Sequence, residues 1–238
     1  MTEIRNYDTP EEVARAAAEN AIEILQIAIE LRGAASWVLA GGTSPLLAYK
    51  DLAQCDTFNT VDWSKVTVLI GDERFVSLDH KDSNWGTISK LFDRNEELSK
   101  VQCLIPTISE TVETTAADYQ SQIKTAGISK FDLVWIGVGE DGHTLSLFPD
   151  NPAFTTPTSE WVIPVHDSPK SPADRFTLSL TAMQHVDELV IFAVGAAKQS
   201  ALKQARLKHN LPVAIVADTV ETSGGEVRWL YDEAAWEE

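Results

Sequence analysis

The sequence predicts an α/β fold: one domain spanning 1–238, a mainly parallel β-sheet with helices on both faces. Three observations carry that prediction. Short, continuously apolar runs alternate with stretches of helical periodicity, as in a sheet buried on both sides. Four of those runs are followed directly by polar clusters. No repeat, low-complexity tract or long linker divides the 238 residues.

The first helix is written most clearly. Thr9 is placed to cap it, with Pro10 at the first helical position and Glu12 three residues after the cap, the pattern of a capping box. Apolar residues then recur at Val13, Ala17, Ala21, Ile24 and Ala28, and Gly33 is a suitable terminator. Beyond it, strands are expected at "SWVLA" (36–40), "VTVLI" (66–70), "FDLVWIGV" (131–138) and "WVIPV" (161–165). Further strands are expected at "FTLSL" (176–180), "LVIFAV" (189–194) and "VAIVA" (213–217). Helical patterns lie between several of them: "SPLLAYKDLA", "NWGTISKLF", "TTAADYQSQIKTA" and "AAKQSALKQARLK". The proline- and threonine-rich "DNPAFTTPTSE" (150–160) reads as a loop, not a domain boundary.

Composition narrows the function. Hydrophobic residues at 44% supply a sizeable core, while a net charge of -17 argues against nucleic acid and anionic lipid as partners. A small anionic substrate is not excluded, because distant charges are screened over roughly 8 Å and a few local cations can dominate a pocket. Cys55 and Cys103 form no C-x-x-C pair, and His80, His166, His185 and His209 share no metal-ligand spacing. They read as structural or exposed, so neither metal nor cofactor is expected. The N-terminus lacks the pattern of a signal peptide, and no apolar stretch approaches a membrane span, so a cytoplasmic protein is expected. A monomer is compatible with all of this.

In a parallel sheet the carboxyl ends of the strands share one edge, where ligand crevices form. "GGTSP", "GDERF", "GEDGH" and "GAAK" should therefore meet at one rim. Two readings fit "GGTSP": a plain strand-to-helix turn with Ser44 as cap and Pro45 at the first helical position, or an anion cradle. In the cradle, Gly41 and Gly42 admit a ligand, Thr43 and Ser44 offer hydroxyls, and helix amides face the charge. In "GDERF", the charges could form a solvated turn with an internal salt bridge. Alternatively, Arg74 grips a phosphate and Asp72 accepts sugar hydroxyls. Lys198 sits where a helix dipole disfavours a cation, which suggests either a resident anion or a snorkelling surface lysine.

"GVGEDGH" (137–143) spells the G-x-G-x-x-G of a dinucleotide site, yet Glu140 and Asp141 would oppose a pyrophosphate there. The reading preferred is that Gly139 and Gly142 bend the chain so that Asp141 and His143 project into the crevice. His143 is then a general base near neutral pH, oriented or charge-stabilised by Asp141. No G-x-S-x-G elbow occurs, so hydrolysis here would use an activated water.

Together these stretches resemble the glucosamine-6-phosphate isomerase/6-phosphogluconolactonase family, on its lactonase branch. The resemblance runs through "LAGGTSPLLAY", "GDERFVSLDHKDSNWG", "FDLVWIGVGEDGHTLSLFPD", "RFTLSLTAM", "VGAAK" and "GGEVRWLYDEAAW". It implies a three-layer Rossmann-like fold, no cofactor, and hydrolysis of 6-phospho-D-glucono-1,5-lactone in the pentose phosphate pathway. It further implies His143 as general base, with Arg74, Lys198 and the 41–44 loop around the phosphate and Arg175 in reach of substrate. Two departures are minor: Thr43-Ser44 replaces the usual Ser-Thr, and "TLSL" replaces "TLTL". The deaminase branch typically continues "DGH" into "IAFNEP" and has a tyrosine after "DE", where this chain has "TLSLFPD" and "DER". A non-catalytic sugar-phosphate sensor is the remaining alternative, with no DNA-binding module attached to support it.

Overall fold

The computed structural model describes residues 2–208 and 210–236, the side chains of 206–208 excepted; His209 lies outside them. The chain opens with strand β1 (Thr2–Tyr7), helix α1 (Pro10–Arg32), β2 (Ala35–Leu39) and α2 (Thr43–Leu52). Then come β3 (Val66–Ile70), β4 (Asp72–Arg74), α3 (Asn84–Phe92), β5 (Gln102–Leu104) and α4 (Val112–Thr125). The middle holds β6 (Phe131–Gly137), α5 (Pro152–Thr155), β7 (Val162–Val165), β8 (Arg175–Leu178) and α6 (Leu180–Met183). The chain closes with β9 (Val186–Ala193), α7 (Gln199–Lys208), α8 (Pro212–Thr222) and β10 (Glu226–Asp232).

The main sheet has seven strands in the order β1-β10-β9-β6-β2-β3-β5, every pair parallel. Period-two alternation explains why its central strands are apolar throughout. In β6, Leu133 and Trp135 enter the core beneath α1, α2 and α3, while Val134 and Ile136 enter the core beneath α4 and α8. Trp135 packs against Trp37 at 4.8 Å, Tyr49 at 5.1 Å and Phe192 at 5.0 Å between ring centroids. Each large side chain so buried contributes about 1.5–3 kcal/mol relative to exposure. The α1 capping box forms as expected, and Gly33 ends the helix at φ 80°.

Three expectations change. "VAIVA" is not a strand but the first turns of α8, with Pro212 opening the helix and Val213, Val216, Ala217 and Val220 buried at helical spacing. Five apolar residues carry no period of their own; the helical one emerges only with the following "DTVET". Second, β7 and β8 leave the parallel sheet and pair antiparallel with each other and with β4. Only nine residues (166–174) join β7 to β8, too few for the crossover that parallel strands need. Third, β1, β4, β5 and β10 were not expected: β1, β4 and β10 carry charged residues, and β4 and β5 are three residues long. No helix among the described residues is long and apolar enough to cross a membrane.

Candidate active site

From β2 the chain steps outward through β3 and β5, then returns to the other side of β2 with β6 and steps outward through β9 and β10. The switch in direction therefore lies between β2 and β6, and crevices open at such points beyond the carboxyl ends of the strands. The four polar clusters follow β2, β3, β6 and β9, four neighbouring strands. Two buried tyrosines set the strand ends from which two of them leave. Tyr49 Oη accepts from Ala40 N (2.9 Å) and donates to Ala40 O (3.0 Å), just before Gly41. Tyr119 Oη does the same for Ile70 N (2.8 Å) and O (3.1 Å), just before "GDER".

The result is a cleft of about 330 Å³ lined by Gly41, Gly42, Asp72, Arg74, His143, Arg175 and Lys198 among the residues singled out from sequence. Thr43 and Ser44 stand beside it at the start of α2. The helix has Gly42 as cap residue, at φ 100° and with no side-chain bond to its amides, so Ser44 is not the cap and Pro45 is the third helical residue. Uncapped amides at a helix start are suited to an anion. A Cβ at Gly41 would lie 2.0 Å from Asn84 Oδ1, so a larger residue there displaces the Asn84 side chain, whose Nδ2 donates to Asp72 O at 2.8 Å.

The "DER" segment splits by role. Glu73 is fully buried and accepts from Arg74 N, Asn84 N and Trp85 N (2.8 Å each) and from Ser83 Oγ (2.9 Å). It ties the start of α3 to β4, so the solvated turn with an internal salt bridge does not form. Burial raises its carboxyl above the ordinary glutamate value despite those four bonds. Asp72 turns to the cleft, its Oδ2 accepting from Ser146 Oγ at 2.6 Å. Arg74 bonds the Asp82 carbonyl through Nη1, and its buried Nε has no protein partner. Directly across the β4–β8 pairing stands Arg175. Like charges opposite one another in a sheet are unfavourable, so two facing arginines point to a compensating anion.

His143 Nδ1 is hydrogen-bonded to Asp141 Oδ1, and its ring stacks on Phe148 with centroids 4.4 Å apart. Gly139 permits this, because a Cβ there would sit 1.9 Å from His143 Nδ1. His143 and Asp141 lie directly against Gly139, where a dinucleotide loop would leave its backbone open to the ligand, and no helix follows the loop until Pro152. The dinucleotide reading therefore lapses. Burial pushes the His143 pKa down, and the Asp141 bond and charge offset this only in part. Burial works to raise Asp141, yet the bond to His143, its charge and that of Lys170 together carry it below the ordinary value.

Lys198 closes a short 3-10 turn (Ala196–Lys198) before α7, and burial lowers its pKa against the pull of Glu140 and Asp141. Its turn is anchored by Gly195 N donating to Asp232 Oδ1 at 2.8 Å. Sequence reasoning missed Asp232, Asn84, Phe148, Lys170 and Ser171. Lysine between prolines in "SPKSP" was a visible signal for Lys170, but its place at the cleft depends on the antiparallel β7–β8 pairing. A second groove, about 260 Å³ between α8, β10 and β1, holds none of the residues singled out from sequence.

Residues 8–229 match the family described as glucosamine-6-phosphate isomerases/6-phosphogluconolactonase. A probable 6-phosphogluconolactonase 1 from Oryza sativa subsp. japonica is 32% identical over 255 residues, covering 98% of this chain and 83% of the relative. A probable 6-phosphogluconolactonase from Schizosaccharomyces pombe is 33% identical, covering 94% and 90%. Among solved structures, a 6-phosphogluconolactonase from Shewanella baltica aligns with a TM-score of 0.86 at 26% identity over 98% of each chain. A sheet of this order, its strand-end clusters and a match across nearly the whole length agree: the chain belongs to the glucosamine-6-phosphate isomerase/6-phosphogluconolactonase family.

Proposed function

We propose that the protein is a cytoplasmic enzyme, the chain acting as one catalytic domain, that hydrolyses 6-phospho-D-glucono-1,5-lactone to 6-phospho-D-gluconate in the oxidative pentose phosphate pathway. The observation that carries the reading is one cleft in which the His143–Asp141 pair faces Arg74 and Lys198. The relatives named above carry the name 6-phosphogluconolactonase or probable 6-phosphogluconolactonase, which favours this branch over the deaminase.

With Nδ1 committed to Asp141, His143 has Nε2 left to take a proton from water. Burial keeps the imidazole neutral at neutral pH, the form a base requires. The water oxygen bonds to C1, giving a tetrahedral oxyanion; the C1–ring oxygen bond then breaks, and the imidazolium returns its proton to the departing oxygen. Asp141 favours the imidazolium while it exists. Arg74, Lys198 and the start of α2, with Gly41, Gly42, Thr43 and Ser44, hold the phosphate, Asp72 accepts a sugar hydroxyl, and Arg175 flanks the site.

The test offers freshly made 6-phosphogluconolactone and glucosamine 6-phosphate side by side, with and without EDTA. Acid release without ammonia release, unchanged by the chelator, is expected. Ammonia release would move the protein to the deaminase branch; no turnover of either, with tight sugar-phosphate binding, would make it a sensor.

A further inference from the structure

Lys170 stands on the 166–174 loop between β7 and β8 and lines the same cleft as His143 and Lys198. The backbone beneath it is braced. Lys170 N donates to Ser168 Oγ (3.3 Å), and Lys170 O accepts from Ser168 Oγ (2.9 Å) and from Arg175 Nη2 (2.7 Å). Arg175 Nε also holds Pro172 O at 3.0 Å. The loop base is closed by Ser168 N donating to Ala173 O (3.0 Å) and by His166, which bridges Glu113 Oε1 (2.9 Å) and Asp174 Oδ1 (3.0 Å). Bracing of this kind fixes where the lysine stem begins and lowers the entropic cost of ordering it on a ligand.

The lysine head has no direct carboxylate partner, although its charge reaches Asp141. Among the described residues no carboxylate oxygen lies within 4.0 Å of the Lys170 or Lys198 ammonium, although the chain carries 36 acidic residues. The two ammonium groups are close enough that Lys170 disfavours the charged form of Lys198, and it acts on His143 in the same sense. Two like charges facing one cleft repel until an anion lies between them.

We propose that Lys170 is a further substrate-binding residue, acting with Lys198 on the phosphate; this rests on the lactonase reading for the identity of the substrate. Arg175 is then a positioning residue for Lys170. Two of its N–H groups go to carbonyls of the 166–174 loop, and its guanidinium carbon lies 5.4 Å from the Phe148 ring centre.

Lys170→Met keeps the stem and removes the charge, at an exposed position where the fold should tolerate it. Binding of inorganic phosphate is measured by calorimetry, and kcat/KM on 6-phosphogluconolactone and on unphosphorylated gluconolactone. The phosphate Kd should rise about tenfold, with a similar fall in kcat/KM on the phosphorylated lactone carried by KM, the scale of one charge-assisted bond. The unphosphorylated lactone, compared on the plateau above the acid limb of His143, should lose far less, and Lys170→Arg should recover most of the loss. An unchanged phosphate Kd overturns the proposal, and so does an equal loss on both lactones, which would place Lys170 on the reacting carbonyl. Because phosphate binding needs no turnover, an inactive wild type that loses phosphate affinity on Lys170→Met would sink the lactonase reading and leave this inference standing.

Discussion

Replacing Asp141 by Asn separates what burial does to His143 from what its carboxylate partner does. Asn keeps the shape and can still accept from His143 Nδ1, so the ring stays oriented and only the charge is lost. A charge-assisted bond is worth about 1.5–3 kcal/mol. The Asp141 side chain is 39% exposed, so water screens part of that, and the low end of the range applies. About 1.4 kcal/mol less stabilisation of the imidazolium in the transition state is a tenfold fall in kcat. The pH profile moves as well. Activity needs neutral His143 and is lost as pH falls through its pKa. In the wild type, burial has lowered that pKa and Asp141 partly restores it. Without the carboxylate, burial acts with less opposition, so the acid limb shifts further to low pH while the plateau drops. Initial rates between about pH 5 and 8, corrected for spontaneous hydrolysis, read both effects. An acid limb that moves upward, or a plateau that does not fall, refutes the assignment of Asp141 as partner of the base.

Other residues make separate predictions. Arg74→Ala and Lys198→Ala should each lower kcat/KM on the phosphorylated lactone by one to two orders of magnitude, on the scale of roughly 1.5–3 kcal/mol per charge-assisted bond. The unphosphorylated lactone should be far less affected; equal losses would mean these cations support the fold or the chemistry. Glu73→Ala leaves one buried amide, one buried hydroxyl and two half-buried amides without their acceptor, and should cost about 3 kcal/mol in urea unfolding. A loss below about 1 kcal/mol would show that water replaces the carboxylate at little cost.

Much of the site was legible because parallel strands put their carboxyl ends on one edge, so residues far apart in sequence could be placed together from strand order alone. Arg74, His143 and Lys198 line one cleft for that reason, and the carboxylates of "GEDGH" were visible in the sequence as an argument against a pyrophosphate there. What stayed hidden depends on contacts that periodicity does not encode. Phe148 lies five residues beyond His143, yet nothing in "TLSLF" says that its ring turns back under the imidazole. Asp232 closes β10 and holds the Lys198 turn through Gly195, 37 residues away in sequence. Lys170 reaches the cleft only because β7 and β8 fold antiparallel, and those two runs read as members of the parallel sheet. "VAIVA" is ambiguous in itself, since a short β-branched run satisfies a strand and a buried helix face equally.

The proposed hydrolysis stands on His143 as the base. The measurement is single-substrate kinetics of a folded His143→Asn variant on 6-phosphogluconolactone, with the spontaneous rate subtracted and inorganic phosphate affinity measured in parallel. Phosphate affinity close to wild type, with kcat lower by about 10² to 10⁴, is the predicted result. A folded variant that keeps near-normal kcat after the correction shows that another group is the base, with Asp72 the next to test.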